Sequence, residues 1–374
     1  MIKLNKPILG ILELLAVSKV FRSGWVAGQG PQTLEFERKL ADFAGVQYSL
    51  AVSNATAGLY VALVALGVKQ GDEVIVADFT YPATGHAVLF TGAKPVFADV
   101  SLATGNLDPA LVEPLITSRT RGVIVVDVAG RCADYEVLRE ITQRNNIFLL
   151  EDAACSVGAT KRGVSAGKLA DIAVFSFHGR KGITCGEGGA IVTDSKELYE
   201  SAARMISFGI SSALTREKSK KIQIPNFESF GFNFKLSDIS CAIMTQQLKR
   251  LPRLLKGREK VAQYYYKYLG DNPNIVLPMH EANSQHAWQT FAIRVTSRET
   301  RNDLIAFLRT SGIQSNIGTF SSFLQPIYSS SNVCPNSRQL FETQIALPMH
   351  TKLRKRHIRR ISTTIETFFE LHSK

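Results

Sequence analysis

Phe175-Ser-Phe-His-Gly-Arg-Lys-Gly-Ile-Thr-Cys-Gly-Glu-Gly-Gly189 joins an apolar run to a glycine-rich turn that carries Lys181. Upstream, the apolar run Ile147-Phe-Leu-Leu150 empties into Glu151-Asp-Ala-Ala154. Both segments read as buried strands that end in a group able to carry charge. Strands apolar on both faces belong to a mostly parallel sheet covered by helices, and such sheets bind ligands beyond the carboxyl ends of their strands.

The same alternation extends from residue 45 to residue 195. Tyr48–Val52, Glu73–Val76, Lys94–Ala98, Gly122–Val128, Ile172–Phe177 and Ala190–Thr193 read as further strands, while Ala55–Leu66, Ala83–Thr91 and Tyr135–Asn145 have helical spacing. The expected class is α/β, with a mostly parallel central sheet sandwiched by helices. Beyond residue 240 the pattern changes to a long helical stretch through Tyr264–Leu269, with Pro252 as a kink. Strand-like Thr290–Val295, helical Arg301–Ser311 and a basic terminal helix then suggest a smaller α+β region. The expected division is an N-terminal segment, 1–20, packing near the small domain, a large domain, 21–245, and a small C-terminal domain, 246–374. Ser329–Ser337 reads as a mobile surface connection.

A chain of 374 residues, 45% hydrophobic and 20% charged, has the composition of a soluble globular protein. No stretch reaches the roughly 18 uninterrupted apolar residues of a membrane span. Glu13 interrupts the apolar run Pro7–Val17, so the N-terminus reads as an amphipathic helix and the expected location is cytoplasmic. Cys132, Cys155, Cys185, Cys241 and Cys334 are scattered, which predicts reduced thiols and no metal site. The net charge of +12 invites a nucleic-acid reading, but no recognition element accompanies it. A non-catalytic DNA-binding regulator is therefore only a remote alternative. Much of the excess lies in Arg216–Lys221 and Lys352–Arg360. Each can be a solvated surface, or the first can meet the phosphates of an anionic substrate.

Asn54, Tyr81, Asp152 and Lys181 all fall at or just after strand ends. A strand-end lysine with a buried strand-end acid is the pair that pyridoxal 5′-phosphate (PLP) needs: an amine for the aldehyde, and a carboxylate that keeps the ring nitrogen protonated. Each residue also has a plainer reading. Asp152 can cap a helix, and a lysine on a Ser/Gly-rich turn is commonly exposed. Ser53-Asn-Ala-Thr-Ala57, at a helix start, offers backbone N–H groups and the Thr56 hydroxyl to an anion, or a simple N-cap. Ser176 adds a hydroxyl, and Tyr81 can stack on a ring or merely pack. Gly186-Glu-Gly-Gly189 is a tight turn rather than a dinucleotide fingerprint.

With these residues the chain resembles the DegT/DnrJ/EryC1/StrS family of sugar-nucleotide aminotransferases, nearly end to end. The likeness runs through Ser23-Gly-Trp-Val26, Glu35-Phe-Glu37, Ser53-Asn-Ala-Thr56, Gly71-Asp-Glu-Val-Ile75, Gly92-Ala-Lys-Pro-Val-Phe97, Glu151-Asp-Ala-Ala154 and Ser176–Gly189. It continues through Gly231-Phe-Asn-Phe-Lys-Leu-Ser-Asp238, Gln247-Leu248 and Leu347-Pro348. The resemblance implies PLP fold type I, the aspartate aminotransferase architecture. It places cofactor attachment and catalysis on Lys181, the pyridinium partner at Asp152, and phosphate contacts at Ala55, Thr56 and Ser176. Tyr81 then stacks on the ring, Cys155 lies by the cofactor hydroxyl, and Asn233 reaches the phosphate of a neighbouring subunit. That makes the active site a property of a homodimer. Glu187, Lys218, Lys220 and Lys221 are the implied substrate-binding residues.

The chain also departs from the family pattern. Asn54-Ala55 stands for Ser-Gly, Cys155 for Gln or His, Asp127 for the His of Val-His-x-x-Gly, and Gly182 for Asn. The implied reaction moves an amino group from an amino acid, expected to be L-glutamate, to a nucleotide-linked keto-sugar, with no nucleic acid or membrane partner. An inosose aminotransferase or a PLP-dependent sugar dehydratase on the same fold are the alternatives. Retention of Lys181 argues against the dehydratase branch, where a histidine replaces it.

Overall fold

A computed structural model describes residues 1–210, 226–328 and 332–372. At its centre is a seven-stranded sheet in the order Tyr48–Val52, Gly189–Thr193, Ile172–Ser176, Phe148–Asp152, Thr120–Val126, Glu73–Ala77, Lys94–Ala98. Gly189–Thr193 runs antiparallel to both neighbours, and the other pairings are parallel. Every position of Glu73–Ala77, Ile172–Ser176 and Gly189–Thr193 is buried, so these strands carry no polar alternation. One face is covered by helices Pro31–Ala44 and Tyr135–Arg144 through Phe36, Leu40, Leu138 and Ile141. The other is covered by Ala55–Ala65, Ala83–Phe90 and Lys196–Met205 through Leu59, Leu63, Val88 and Met205.

The Gly122–Val128 reading shifts. That strand begins at Thr120 and stops at Val126, and Val128–Gly130 turns away as a 3₁₀ segment. Gly130 has φ of 96°, and a Cβ there would lie 2.9 Å from the Cys155 carbonyl oxygen, so a β-branched strand cannot continue through it.

A single helix, Asp238–Leu269, runs through Pro252. Its far half supplies Val261, Ala262, Tyr265 and Leu269 to a third core shared with Phe291, Leu304, Leu347 and Ile361. The strands of this region, Phe291–Arg294, Gln344–Leu347 and Asn316–Ile317, form a small antiparallel sheet. Helices Arg298–Thr310 and Lys355–His372 complete it.

Part of the expected mobile connection is instead fixed. Residues 329–331 lie outside the described residues, but Pro335 opens the helix Pro335–Thr343. The Asp99 carboxylate accepts from the backbone N–H groups of Asn336 and Ser337, both at 2.9 Å, and the Ser337 hydroxyl donates to Asp78. Small polar residues there serve buried carboxylates rather than solvent.

Asp238 does the same at longer range. Its Oδ1 accepts from Gly30 N–H at 3.1 Å and Thr33 N–H at 3.0 Å, and its Oδ2 from Gln32 N–H at 2.9 Å. It thereby caps the helix Pro31–Ala44, whose own N-cap residue, Gly30, has no side chain to offer. A Cβ at Gly30 would sit 2.4 Å from Asp238 Oδ2 and 2.2 Å from the Trp25 ring, so only glycine admits the carboxylate.

A second acidic arrangement lies under the sheet. Glu151 sits opposite Val125 in register, and the Asp127 N–H donates to the Asp152 carbonyl at 3.2 Å. Asp127 and Glu151 are both fully buried. Asp127 Oδ1 accepts from Ala133 N–H and the Tyr135 hydroxyl, each at 3.0 Å, while Glu151 Oε1 accepts from Gly167 N–H at 2.9 Å. Burial pushes the Asp127 carboxyl up to about 6, with hydrogen bonds from Ser156, Ala133 and Tyr135 offsetting part of the rise. Burial, then the Asp127 charge, push Glu151 upward as well.

Two outcomes follow from these carboxylates. Asp238→Ala should lower unfolding stability by about 3 kcal/mol in denaturant titration, because it strands several buried N–H donors; a loss below about 1 kcal/mol contradicts the capping role. For Asp127 the folded value lies above the roughly 3.9 of an unfolded aspartate. Its stabilising contribution is therefore complete below that unfolded value and is lost as pH rises through about 6. Asp127→Asn should gain melting temperature relative to the parent as pH rises from about 4 to about 7, and a difference independent of pH refutes this.

Candidate active site

Three strand ends and one helix start converge at the carboxyl edge of the sheet. Asp152 is the last residue of its strand, level with Val126 on one side and Val174 on the other. Ser176 ends the next strand, opposite Gly189. At Gly189 a Cβ would lie 2.8 Å from Ala55 N and 2.9 Å from the Phe175 carbonyl oxygen, so the returning strand presses directly on the start of the helix Ala55–Ala65. Ser176, Ala55 and Thr56 are thereby neighbours. The Asn54 side chain accepts from Ala57 N–H at 2.9 Å, which settles the N-cap. The N–H groups of Ala55 and Thr56 remain outside the helix's own ladder, as first-turn donors do.

Asp152 is buried, and burial raises its carboxyl above the ordinary aspartate range. The Thr84 hydroxyl donating to Oδ2 at 2.7 Å, Ala154 N–H donating to Oδ1 at 3.2 Å and the Lys181 charge oppose that rise. Thr84 had no signal in the sequence, because its partner is 68 residues away and on another element. It also lies one turn after Tyr81, with Thr84 N–H donating to the Tyr81 carbonyl at 3.3 Å. That turn leaves the Tyr81 ring 67% exposed, 6.1 Å from Phe320.

Lys181 sits in a closed loop. Phe177 N–H donates to the Gly188 carbonyl at 2.8 Å, Lys181 N–H to the His178 carbonyl at 2.9 Å, and the Thr184 hydroxyl to the Phe177 carbonyl at 2.7 Å. Gln247 Oε1 accepts from Thr184 N–H at 3.4 Å, and its Nε2 donates to Glu13 Oε1 at 2.6 Å, tying the loop to the long helix and the N-terminal segment. The Lys181 ammonium donates to Cys155 Sγ at 3.1 Å. Lys181, Cys155 and Ser176 line one cavity with Gly182, Arg258 and Gln289. A Cβ at Gly182 would meet nothing within 4 Å, so no steric demand explains the glycine there.

The remaining expected residues lie elsewhere. Glu187 is on the exposed face of the turn, 3.5 Å from His178 Nε2. Asn233 is exposed and bridges to Ser207. Its neighbour Phe234 accepts from Ser53 N–H at 2.7 Å, which brings this segment beside the helix start. Lys218, Lys220 and Lys221 lie outside the described residues.

A buried carboxylate facing an amine, an exposed ring and a helix start with donors to spare make a set that suits a phosphorylated pyridine aldehyde. The helices of the described residues include none long and apolar enough to cross a membrane.

Comparison with known proteins agrees with this chemistry. The model of the DegT/DnrJ/EryC1/StrS aminotransferase family matches residues 8–366. The spore coat polysaccharide biosynthesis protein SpsC of Bacillus subtilis (strain 168) is 32% identical over 360 residues, 93% of this chain and 92% of that protein. The aminotransferase TlmJ from Streptoalloteichus hindustanus superposes with a TM-score of 0.94 at 28% identity, covering 100% of both chains. Spr1654 from Streptococcus pneumoniae in its PMP form gives 0.94 at 28% identity over 99% of both chains, and it is also solved in a PLP form. The chain belongs to the DegT/DnrJ/EryC1/StrS aminotransferase family and is a PLP-dependent aminotransferase of fold type I.

Proposed function

We propose that this aminotransferase moves an amino group from L-glutamate to a nucleotide-linked keto-sugar, working in the cytoplasm as a homodimer. The observation that carries the reading is the Asp152–Lys181 pair, a buried carboxylate at one strand end whose charge is favoured by an amine in the loop that follows the adjoining strand. Similarity to a polysaccharide biosynthesis protein supports a sugar as acceptor. The net charge of +12 supports an anionic, nucleotide-bearing one.

When bound, PLP supplies an aldehyde for the amine and a protonated ring nitrogen as electron sink. The chain's own residues then divide the work. Asp152, oriented by the Thr84 hydroxyl and Ala154 N–H, keeps the proton on that nitrogen. Lys181 Nζ takes the proton from the donor's α-carbon and returns it on the opposite side of the exchange, acting as base and then as acid. Ala55 and Thr56 N–H groups, the Thr56 hydroxyl and the Ser176 hydroxyl hold the phosphate, with Asn233 of the second subunit closing the same site. Tyr81 covers the ring face, and Cys155 stands beside the ring hydroxyl. Glu187, Lys218, Lys220 and Lys221 meet the sugar nucleotide.

Lys181→Ala should lose about a thousandfold or more of turnover together with the lysine-dependent visible absorbance, and normal turnover in that variant rejects the assignment. A panel of nucleotide-linked keto-sugars with isotopically labelled L-glutamate should yield labelled amino sugar. An unlabelled deoxygenated product would instead support the dehydratase reaction. Mixing Lys181→Ala with Asn233→Ala subunits should restore activity that neither variant has alone, since one site of the mixed dimer is intact; no recovery argues against a shared site.

A further inference from the structure

A second cleft opens at the carboxyl edge of the central sheet, apart from the Lys181 cavity. One wall is Leu102, Thr104 and Gly105, which follow the strand Lys94–Ala98, with Val128 and Ala129, which follow Thr120–Val126. The other wall is Val276, Leu277, Met279 and Arg294, the last closing the strand Phe291–Arg294 of the small antiparallel sheet. Val276 and Arg294 exchange both backbone hydrogen bonds, each at 2.9 Å, so their side chains share one face. Residues 286–290 separate the two cavities: Ala287 and Gln289 line the Lys181 cavity, whereas His286 and Thr290 line the cleft. Ala287 N–H donates to the Gly130 carbonyl at 2.8 Å and Thr290 N–H to the Ala129 carbonyl at 3.3 Å, which fixes that partition.

The cleft measures about 370 Å³, within the roughly 300–1,000 Å³ of small-molecule sites. Its rim is apolar and open, with Val276 52% and Met279 44% exposed. It is lined by two guanidinium groups and no carboxylate. Arg131 is already matched, its Nη1 donating to Glu281 Oε2 at 3.3 Å. Arg294 is not: among the described residues its side chain forms no ion pair and donates no hydrogen bond. Burial lowers its guanidinium from the ordinary arginine value, and no neighbouring carboxylate opposes that fall. A partly buried cation without an anion favours an incoming negative charge, and its flat fork matches a carboxylate through two parallel N–H groups. One unmatched cation selects a single charge, and the apolar walls select a hydrophobic body.

We propose that this cleft is a second ligand site, which binds a small organic monocarboxylate with its charge on Arg294 and its apolar body against Leu102, Val276, Leu277 and Met279. No bond is made or broken there, and binding is independent of the amino exchange at Lys181. The two cavities share no lining residue, so one can fill without displacing the occupant of the other. A merely solvated arginine at the rim of the small sheet is the competing account.

The test is calorimetric titration of the PLP-loaded enzyme with 2-naphthoate and with its neutral isostere 2-naphthamide. Loading with PLP keeps the acid out of the cofactor's own phosphate site. The parent should bind the acid about tenfold more tightly than the amide, the worth of one charged hydrogen bond at a partly exposed site. Arg294→Gln should remove that preference, weakening the acid about tenfold and leaving the amide within about twofold. Val276→Glu sets a carboxylate beside Arg294 at an exposed position, and should also weaken the acid more than the amide; it carries the test if the glutamine variant does not fold. The inference is overturned if the parent binds no 2-naphthoate up to about 1 mM, or binds acid and amide equally. A preference that survives both substitutions overturns it too, because the acid then sits elsewhere.

Discussion

The Asp152 carboxylate, buried at the last position of a central strand, is the charge around which the site is arranged. An anion in that place is tolerable only because a hydroxyl, a backbone N–H and the Lys181 ammonium oppose its desolvation. Under the proposed assignment a bound pyridinium would add the cation that the protein leaves partly unmet. In the proposed assignment the need would run both ways: the cofactor would stabilise the carboxylate, and the carboxylate would keep the cofactor protonated.

Placing that charge takes a rigid frame, and the frame is built with further buried carboxylates. Asp238 caps a helix that begins 207 residues earlier, Asp99 caps one that begins 236 residues later, and Glu13 holds the Gln247 side chain that steadies the Lys181 loop. Each is paired with N–H donors or cations, as burial requires. The Asp127–Glu151 arrangement differs, because two like-charged groups share one dry region and neither forms an ion pair among the described residues. Burial and mutual repulsion push both carboxyls upward there, so a fall in pH relieves the crowding by proton uptake.

Function follows from the contrast between the two sides of the Lys181 cavity. One side presents the Ser176 hydroxyl, with the buried Asp152 carboxylate on the neighbouring strand end. The other presents a thiol, apolar leucines and the Arg258 guanidinium.

Much of this is legible in the residue types alone. Strands such as Tyr48–Val52 and Lys94–Ala98 carry their period in their residue types, and a run apolar on both faces can satisfy itself only inside a covered sheet. Asp152 and Lys181 stood out because charged residues at the ends of apolar runs are chemically conspicuous. Helices Pro31–Ala44 and Lys196–Met205, the Thr84 hydroxyl and the Arg258 guanidinium did not. Local pattern thus determined the strands and the layering, and it singled out Asp152 and Lys181. Which distant donors attend each buried charge was set only by the folded chain, because hydrogen bonding and desolvation act on neighbours in space, and separation along the sequence carries no trace of them.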